Sequence, residues 1–104
     1  MNETVKNKVN SMDNFVPSEF YLSQNYPNPF KDRTSIKYCL SERARVELTI
    51  FDSNGKRIIE LFSKVQNAGT YETIFDSQDL PAGDYYYQLK AGNFNATKKM
   101  VLIR

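Results

Sequence analysis

The sequence has no histidine, no tryptophan and a single cysteine, Cys39. The absence of histidine excludes imidazole-based triads, the usual zinc sites and most general acid–base catalysis at neutral pH. A lone cysteine cannot form an internal disulfide, and no histidine is available to activate it as a nucleophile. We therefore expect no enzyme, no catalytic residue, no bound metal and no cofactor.

Long apolar runs and a strong net charge are also lacking. No stretch approaches the roughly 20 apolar residues that a membrane-spanning helix needs. The first 16 residues, MNETVKNKVNSMDNFV, have no apolar run long enough for a signal peptide. The net charge of +2 does not predict a strong attraction to nucleic acid or to a membrane surface. The chain is thus expected either to be cytoplasmic or to be part of a longer protein whose export signal lies upstream.

What the sequence does contain predicts one all-β domain. Residues 1–19 are polar and Asn-rich and are interpreted as a flexible linker, and residues 20–104 as a single folded domain. From Phe20 onwards, short alternating runs such as Val46, Leu48 and Ile50 recur about every ten residues, which is typical of an antiparallel β-sandwich. We count about seven strands and no helix, and we expect two packed sheets.

Two turns and one irregularity can be placed within this pattern. Asn54-Gly55 lies between two apolar runs and predicts a tight hairpin, and Gly92-Asn93 predicts a second one. Ile58 and Leu61 differ in parity, which indicates a β-bulge in the strand that carries them.

The segment Tyr26-Pro27-Asn28-Pro29-Phe30 has two prolines separated by one residue. Each proline fixes its own φ and favours extended geometry in the residue before it. A proline-rich ligand for an aromatic groove is one interpretation. A lock on an edge strand, packed by Tyr26 and Phe30, is favoured because the segment has no PxxP spacing.

The last strand is apolar on both faces, with Met100 and Leu102 on one side and Val101 and Ile103 on the other. Such a strand suits either the centre of a sheet or addition to the edge of a partner protein. A third interpretation is a terminal core strand whose lysines protect the edge against aggregation. The residues themselves leave these alternatives open.

Three binding functions compete with structural interpretations of the same residues. The run Tyr85 to Tyr87 beside C-terminal lysines could stack nucleic-acid bases, but alternation directs Tyr85 and Tyr87 inward and leaves only Tyr86 exposed. Tyr86 alone is thin support for a carbohydrate-binding face. The turn residues Asp52, Asn54, Asp76 and Asp79 could supply oxygen ligands to calcium, but caps of their own turns are favoured for the aspartates.

An ordered series of motifs carries a resemblance to a known family. The motifs are LSQNYPNPF, TSIKYCL, VELTIFDSNGK, AGTY, LPAGDYYYQL and the terminal KKMVLIR. Together, from about Leu22 to Arg104, they resemble the type A C-terminal sorting domain of type IX secretion cargo, an immunoglobulin-like module related to a domain of the flagellar hook-capping protein. One departure is Lys31-Asp32 after Phe30, where many members have a third proline.

The resemblance implies a function and a set of recognition residues. Such a domain directs an upstream cargo protein across the outer membrane, is recognised by an outer-membrane secretion receptor, and is commonly removed by a sortase-like protease that attaches the cargo to the cell surface. Processing is expected in the linker, at about residues 12–19. The positions that match the family's signal are Gly83, Tyr85, Lys98, Lys99, Met100, Val101, Leu102, Ile103 and Arg104. The alternative is an immunoglobulin-like spacer or assembly module without a transport signal.

Overall fold

A computed structural model describes residues 16–104 of the chain. Residues 12–15 of the predicted processing region, and residues 1–15 of the predicted linker, lie outside the described residues. Between Val16 and Arg104 the secondary structure is entirely β, with no helix, as the alternating pattern predicts.

Seven strands form the domain. They are β1 (Tyr21–Leu22), β2 (Arg33–Leu40), β3 (Ala44–Asp52), β4 (Arg57–Gln66), β5 (Gly69–Asp76), β6 (Gly83–Ala91) and β7 (Phe94–Leu102). The first strand is only two residues long, because its pairing with β2 stops after Leu22 and resumes only as an isolated bridge between Tyr26 and Ser35.

The strands build two antiparallel sheets in the order β1-β2-β5 and β4-β3-β6-β7. Stacked face to face, the sheets form an immunoglobulin-like β-sandwich. One long side of the sandwich carries the edge strands β1 and β7, which contact each other, and the opposite side carries the edge strands β4 and β5. The strands β4 and β5 follow each other in the chain but lie in different sheets.

Alternation along each strand fills the space between the sheets. Val46, Leu48 and Ile50 of β3 are fully buried, as the sequence predicts, and so are Tyr87 and Leu89 of β6. Two buried phenols also donate hydrogen bonds across the domain. Tyr87 donates to the Ser23 carbonyl oxygen at 2.6 Å, and Tyr38 donates to Oε1 of Gln66 at 2.7 Å.

The predicted turns and bulge are confirmed. Gly55 has a φ of 84°, which glycine adopts without strain, and Oδ1 of Asp52 accepts hydrogen bonds from the backbone N–H groups of Asn54 and Lys56 at 2.9 Å. The register between β3 and β4 shifts at two places, where Leu61 and Ile58 of β4 have no partner on β3.

Candidate functional site

The C-terminal strand β7 is an edge strand, which decides one alternative that the sequence left open. It pairs with β6 over all nine of its residues and with no further strand of the described chain. Met100 and Leu102 are fully buried in the core, opposite Tyr85 and Gly83. Two of the predicted recognition residues therefore serve as core side chains and cannot touch a receptor while the domain is folded.

The free edge of β7 is covered by the proline-containing segment. The Phe30 N–H donates to the Val101 carbonyl oxygen at 2.9 Å, and the Ile103 N–H donates to the Phe30 carbonyl oxygen at 2.8 Å. Between them, the Val101 N–H donates to Oδ1 of Asn28 at 2.9 Å. The cover also reaches Lys99, whose carbonyl oxygen accepts a hydrogen bond from Nε2 of Gln24 at 2.6 Å. We call residues 24–30 the edge cover.

A buried amide fixes the shape of the edge cover. Asn25 is almost fully buried, and its Nδ2 donates to the Pro27 carbonyl oxygen at 3.1 Å and to Oγ1 of Thr34 at 2.9 Å. Oγ1 of Thr34 donates to the same carbonyl at 2.8 Å, and Nε2 of Gln24 donates to Oδ1 of Asn25 at 2.8 Å. The peptide bonds before Pro27 and Pro29 are both cis. Because each buried polar atom has a partner, the loop between the prolines is held without a second strand.

The predicted aromatic lock is only half right. Phe30 is 1% exposed and makes an edge-to-face contact with Phe75 at 6.2 Å between ring centroids. Tyr26, in contrast, is 79% exposed, because its backbone pairs with Ser35 and places its side chain on the outer face of the three-stranded sheet. The segment is pinned by one aromatic ring, and the edge that it covers belongs to the last strand of the other sheet.

Lys99, Val101 and Ile103 present their side chains on the outer face of the four-stranded sheet. Nζ of Lys99 lies 3.5 Å from a carboxylate oxygen of Asp84 on β6. Val101 is half-buried, and Ile103 is 42% exposed. Lys98 belongs to the opposite row, beside Tyr87, and is half-buried.

The side chain of Arg104 holds the chain end against a neighbouring loop. Its Nη2 donates to the Gln78 carbonyl oxygen at 2.8 Å, and its Nε donates to the Leu80 carbonyl oxygen at 3.2 Å. Nη1 also lies 3.7 Å from Oδ1 of Asp32. The terminal residue therefore fastens β7 to the loop between β5 and β6.

The two predicted recognition residues on β6, Gly83 and Tyr85, support the fold. Tyr85 is buried, and its hydroxyl donates to the Pro81 carbonyl oxygen at 2.6 Å. Gly83 is exposed, begins β6 with a φ of 153°, and lies opposite Leu102. Both residues support the strand against which β7 packs, and Tyr85 offers no surface to a partner.

The candidate site thus has two parts, the side chains on the outer face of β7 and the edge cover. The sequence analysis proposes the first part and does not include the second, since Gln24, Asn25 and Asn28 are not among its predicted site residues. The signal that could have identified them is the alternation of amides with prolines, because an amide can supply the edge hydrogen bonds that proline lacks.

Metal and membrane sites find no support in the described part of the chain. No group of three or more metal-ligating side chains occurs between residues 16 and 104. Oδ1 of Asp76 accepts a hydrogen bond from the Gln78 N–H at 2.9 Å, so that this aspartate caps its own turn as predicted. Over the same residues, no helix has the length and apolar character to cross a bilayer.

Comparison with protein families decides what kind of domain this is. The sequence model of the family described as the secretion system C-terminal sorting domain matches residues 24–103. The chain belongs to this family. The match confirms the resemblance to type IX sorting domains, and its range begins at the first residue of the edge cover. The domain is therefore a type IX C-terminal sorting domain, a signal that is not itself catalytic.

A solved structure shows the same fold. Dimeric latent PorU from Porphyromonas gingivalis aligns with a TM-score of 0.64 and 15% sequence identity, over 84% of this chain. The chain spans only 10% of the length of that protein. No curated protein sequence matches the chain significantly.

Proposed function

We propose that the domain carries its upstream protein through the type IX machinery to the cell surface, and that the machinery recognises the outer face of β7 in the folded domain. The single observation that supports this proposal is the family match over residues 24–103, which includes the terminal strand. Within the signal, Lys99, Val101 and Ile103 have side chains that a receptor can reach.

Recognition of the folded domain then depends on side chains. The main-chain groups of Val101 and Ile103 that face outward are already engaged by the edge cover. Pairing with a receptor strand at that point requires the edge cover to move away. This movement would expose the buried side chain of Phe30 to water. Apolar contact at Val101 and Ile103, with steering by Lys99 and Arg104, needs no rearrangement.

The partners proposed for this surface are an outer-membrane receptor and a sortase-like protease. The protease is expected to act in the linker before the domain, at about residues 12–19, and to release the domain from a cargo that becomes attached to the surface. Part of dimeric latent PorU shares the fold, and a PorU-like protease is the kind of enzyme that this step requires.

A secretion assay tests the proposal. A reporter with its own signal peptide is fused ahead of residues 1–104 and expressed in a bacterium that has the type IX machinery. The decisive variant combines Lys99→Glu with Ile103→Ser. Its matched control combines Lys90→Glu with Val65→Ser, because Lys90 is exposed on β6 and Val65 is 47% exposed, close to the 42% of Ile103.

We expect export of the parent fusion and of the control, and periplasmic retention of the Lys99/Ile103 variant, with all three domains folded. Deletion of residues 99–104 is a poorer test, because it also removes the core side chains of Met100 and Leu102. Export of the Lys99/Ile103 variant at the parent level contradicts recognition at this face. Retention of the parent fusion itself favours the spacer alternative.

A further inference from the structure

The four edge strands of the sandwich differ in how they are protected. Strand β1 has only two residues, and β7 is covered by residues 24–30. Strand β4 carries two register shifts against β3, and its Lys64 lies in the inward-facing row opposite Val46. Short length, bulges and inward-pointing charges are the usual devices that prevent a foreign strand from pairing with an edge.

Strand β5 has none of these devices. Its eight residues pair with β2 in one unbroken register, and it contains no proline, no lysine and no arginine. Its inward row has no charged residue, since Glu72 and Asp76 lie opposite Lys37 and Arg33 on the outer row. Ile74, in the middle of that outer row, is 57% exposed.

The hydrogen bonds of β2 show which main-chain groups of β5 point outward. Ser35 exchanges both of its main-chain hydrogen bonds with Tyr26, and the Lys37 carbonyl oxygen accepts from the Ser23 N–H. The odd residues of β2 therefore bond toward β1, and the even residues bond to β5. In the observed register this leaves the N–H and C=O groups of Thr70, Glu72 and Ile74 directed away from β2. No other strand within residues 16–104 pairs with them.

An apolar groove of about 540 Å³ lies beside this edge, between β5 and β4. Its floor and walls include Ile58, Leu61, Ile74, Phe75 and Leu80. A strand added to β5 extends the three-stranded sheet over the groove, with alternate side chains directed toward these apolar residues.

Charge indicates the chemistry of the added strand. Between residues 65 and 89 the sequence has four acidic residues and no lysine or arginine, although the whole chain has a net charge of +2. Glu72 and Asp76 lie on β5 itself, and Asp79 lines the groove. A second copy that paired through its own β5 would place two acidic strands side by side, which is unfavourable. A basic strand is complementary.

We propose that β5 is a docking edge for an extended segment of a partner protein, which presents apolar side chains to the groove and lysine or arginine side chains beside Glu72 and Asp76. The interaction gains main-chain hydrogen bonds at Thr70, Glu72 and Ile74 and apolar contact in the groove. It lies on the side of the sandwich opposite β7 and is independent of recognition at the C-terminal strand.

The test uses the 104-residue chain and a display library of random peptides of about ten residues, the length of an ordinary strand. Ile74→Pro removes an outward-facing N–H without removing a hydrogen bond to β2. Thr97→Pro is the matched control, since Thr97 shares the parity of Lys99 and Val101 and its N–H faces the outer edge of β7. Circular dichroism and cooperative unfolding establish that both variants fold. Ile74→Lys, which places a lysine on the edge, serves if the proline variant does not fold.

We expect enrichment of peptides that alternate apolar and basic residues. Their affinity should fall about tenfold or more in Ile74→Pro and change less than about twofold in Thr97→Pro, because only the first change removes a docking donor. Binding should also slow hydrogen exchange at the Glu72 and Ile74 amides. Absence of any enriched peptide, enrichment of acidic peptides, or equal losses in the two proline variants overturns the proposal. Self-association that Ile74→Pro abolishes assigns the edge to a second copy and overturns it as well.

Discussion

The two long sides of the sandwich differ in whether their edge strands are covered. On the β1/β7 side, the edge cover bonds to outer main-chain groups of Lys99, Val101 and Ile103, and Arg104 fastens the end of the chain to the loop before β6. On the β4/β5 side, β5 has outward-facing main-chain groups without a partner strand among the described residues, beside an apolar groove. The covered side contains the predicted recognition residues Lys99, Val101 and Ile103.

The difference bears on how a receptor could recognise the terminal strand. A strand that offered its backbone to a receptor would be expected to have a free edge, and β7 does not have one between Lys99 and Ile103. The proposed recognition surface is therefore a folded one, and the proline-containing segment near the start of the domain lies against it. Changes in either segment should therefore disturb the same side of the molecule.

The largest expected effect is the loss of Phe30, the aromatic anchor of the edge cover. Because Phe30 is fully buried, Phe30→Ala should lower the free energy of unfolding by about 3–5 kcal/mol, the usual cost of such a cavity. Tyr26→Ala is the matched control, since Tyr26 belongs to the same segment but is exposed, and it should cost less than about 0.5 kcal/mol. Urea denaturation measures both values. Similar costs for the two variants would mean that the segment is not anchored as described.

A smaller effect is expected from the buried amide. Asn25→Ala removes a donor to the Pro27 carbonyl oxygen and to Oγ1 of Thr34, and the Thr34 side chain is almost fully buried. The expected loss is about 1–3 kcal/mol in the free energy of unfolding. Asn95→Ala, at an exposed position of β7, provides the control and should be near neutral. A neutral Asn25→Ala variant contradicts a role for the amide in shaping the edge cover.

The fold could be predicted from the sequence to a large extent, and the covered edge could not. Alternation at Val46, Leu48 and Ile50 and the Asn54-Gly55 turn are local patterns that one strand or one hairpin determines. The cover depends on contacts between residues more than 70 positions apart, such as Asn28 with Val101. No local pattern in KKMVLIR indicates that its free edge is occupied, and Met100 looks as available to a receptor as Val101.

Alkaline pH should weaken one buried tyrosine hydrogen bond on each side of the sandwich. Burial raises the pKa of Tyr87, which bonds to Ser23 near the edge cover, to about 12, and it raises the pKa of Tyr38, which bonds to Gln66 of β4, to about 12. An unfolded phenol has a pKa of about 10. The stabilisation is therefore complete below about pH 10 and is lost as the pH rises toward 12.

Phenylalanine variants separate the contributions of the Tyr87 and Tyr38 hydrogen bonds. Tyr87→Phe should cost about 1 kcal/mol at neutral pH, the usual net value of one hydrogen bond, and should reduce the loss of stability above pH 10. Tyr38→Phe should have the same two effects, because it removes the hydrogen bond to Gln66 of β4. Tyr26→Phe changes an exposed phenol and should alter neither quantity. Thermal unfolding at a series of pH values measures all three, and an unchanged alkaline loss in Tyr87→Phe and Tyr38→Phe would refute the assignment.

The most direct test of the covered edge is amide hydrogen exchange, residue by residue, in the parent chain and in Asn28→Ala. In the parent, the amides of Val101 and Ile103 should exchange slowly, whereas the outward-facing amides of Thr97 on β7 and of Ile74 on β5 should exchange rapidly. In Asn28→Ala, Val101 should lose protection while Ile103 retains it, because Ile103 bonds to the Phe30 backbone. Exchange at Val101 and Ile103 as fast as at Thr97 would contradict the account, since the terminal strand would then have a free edge.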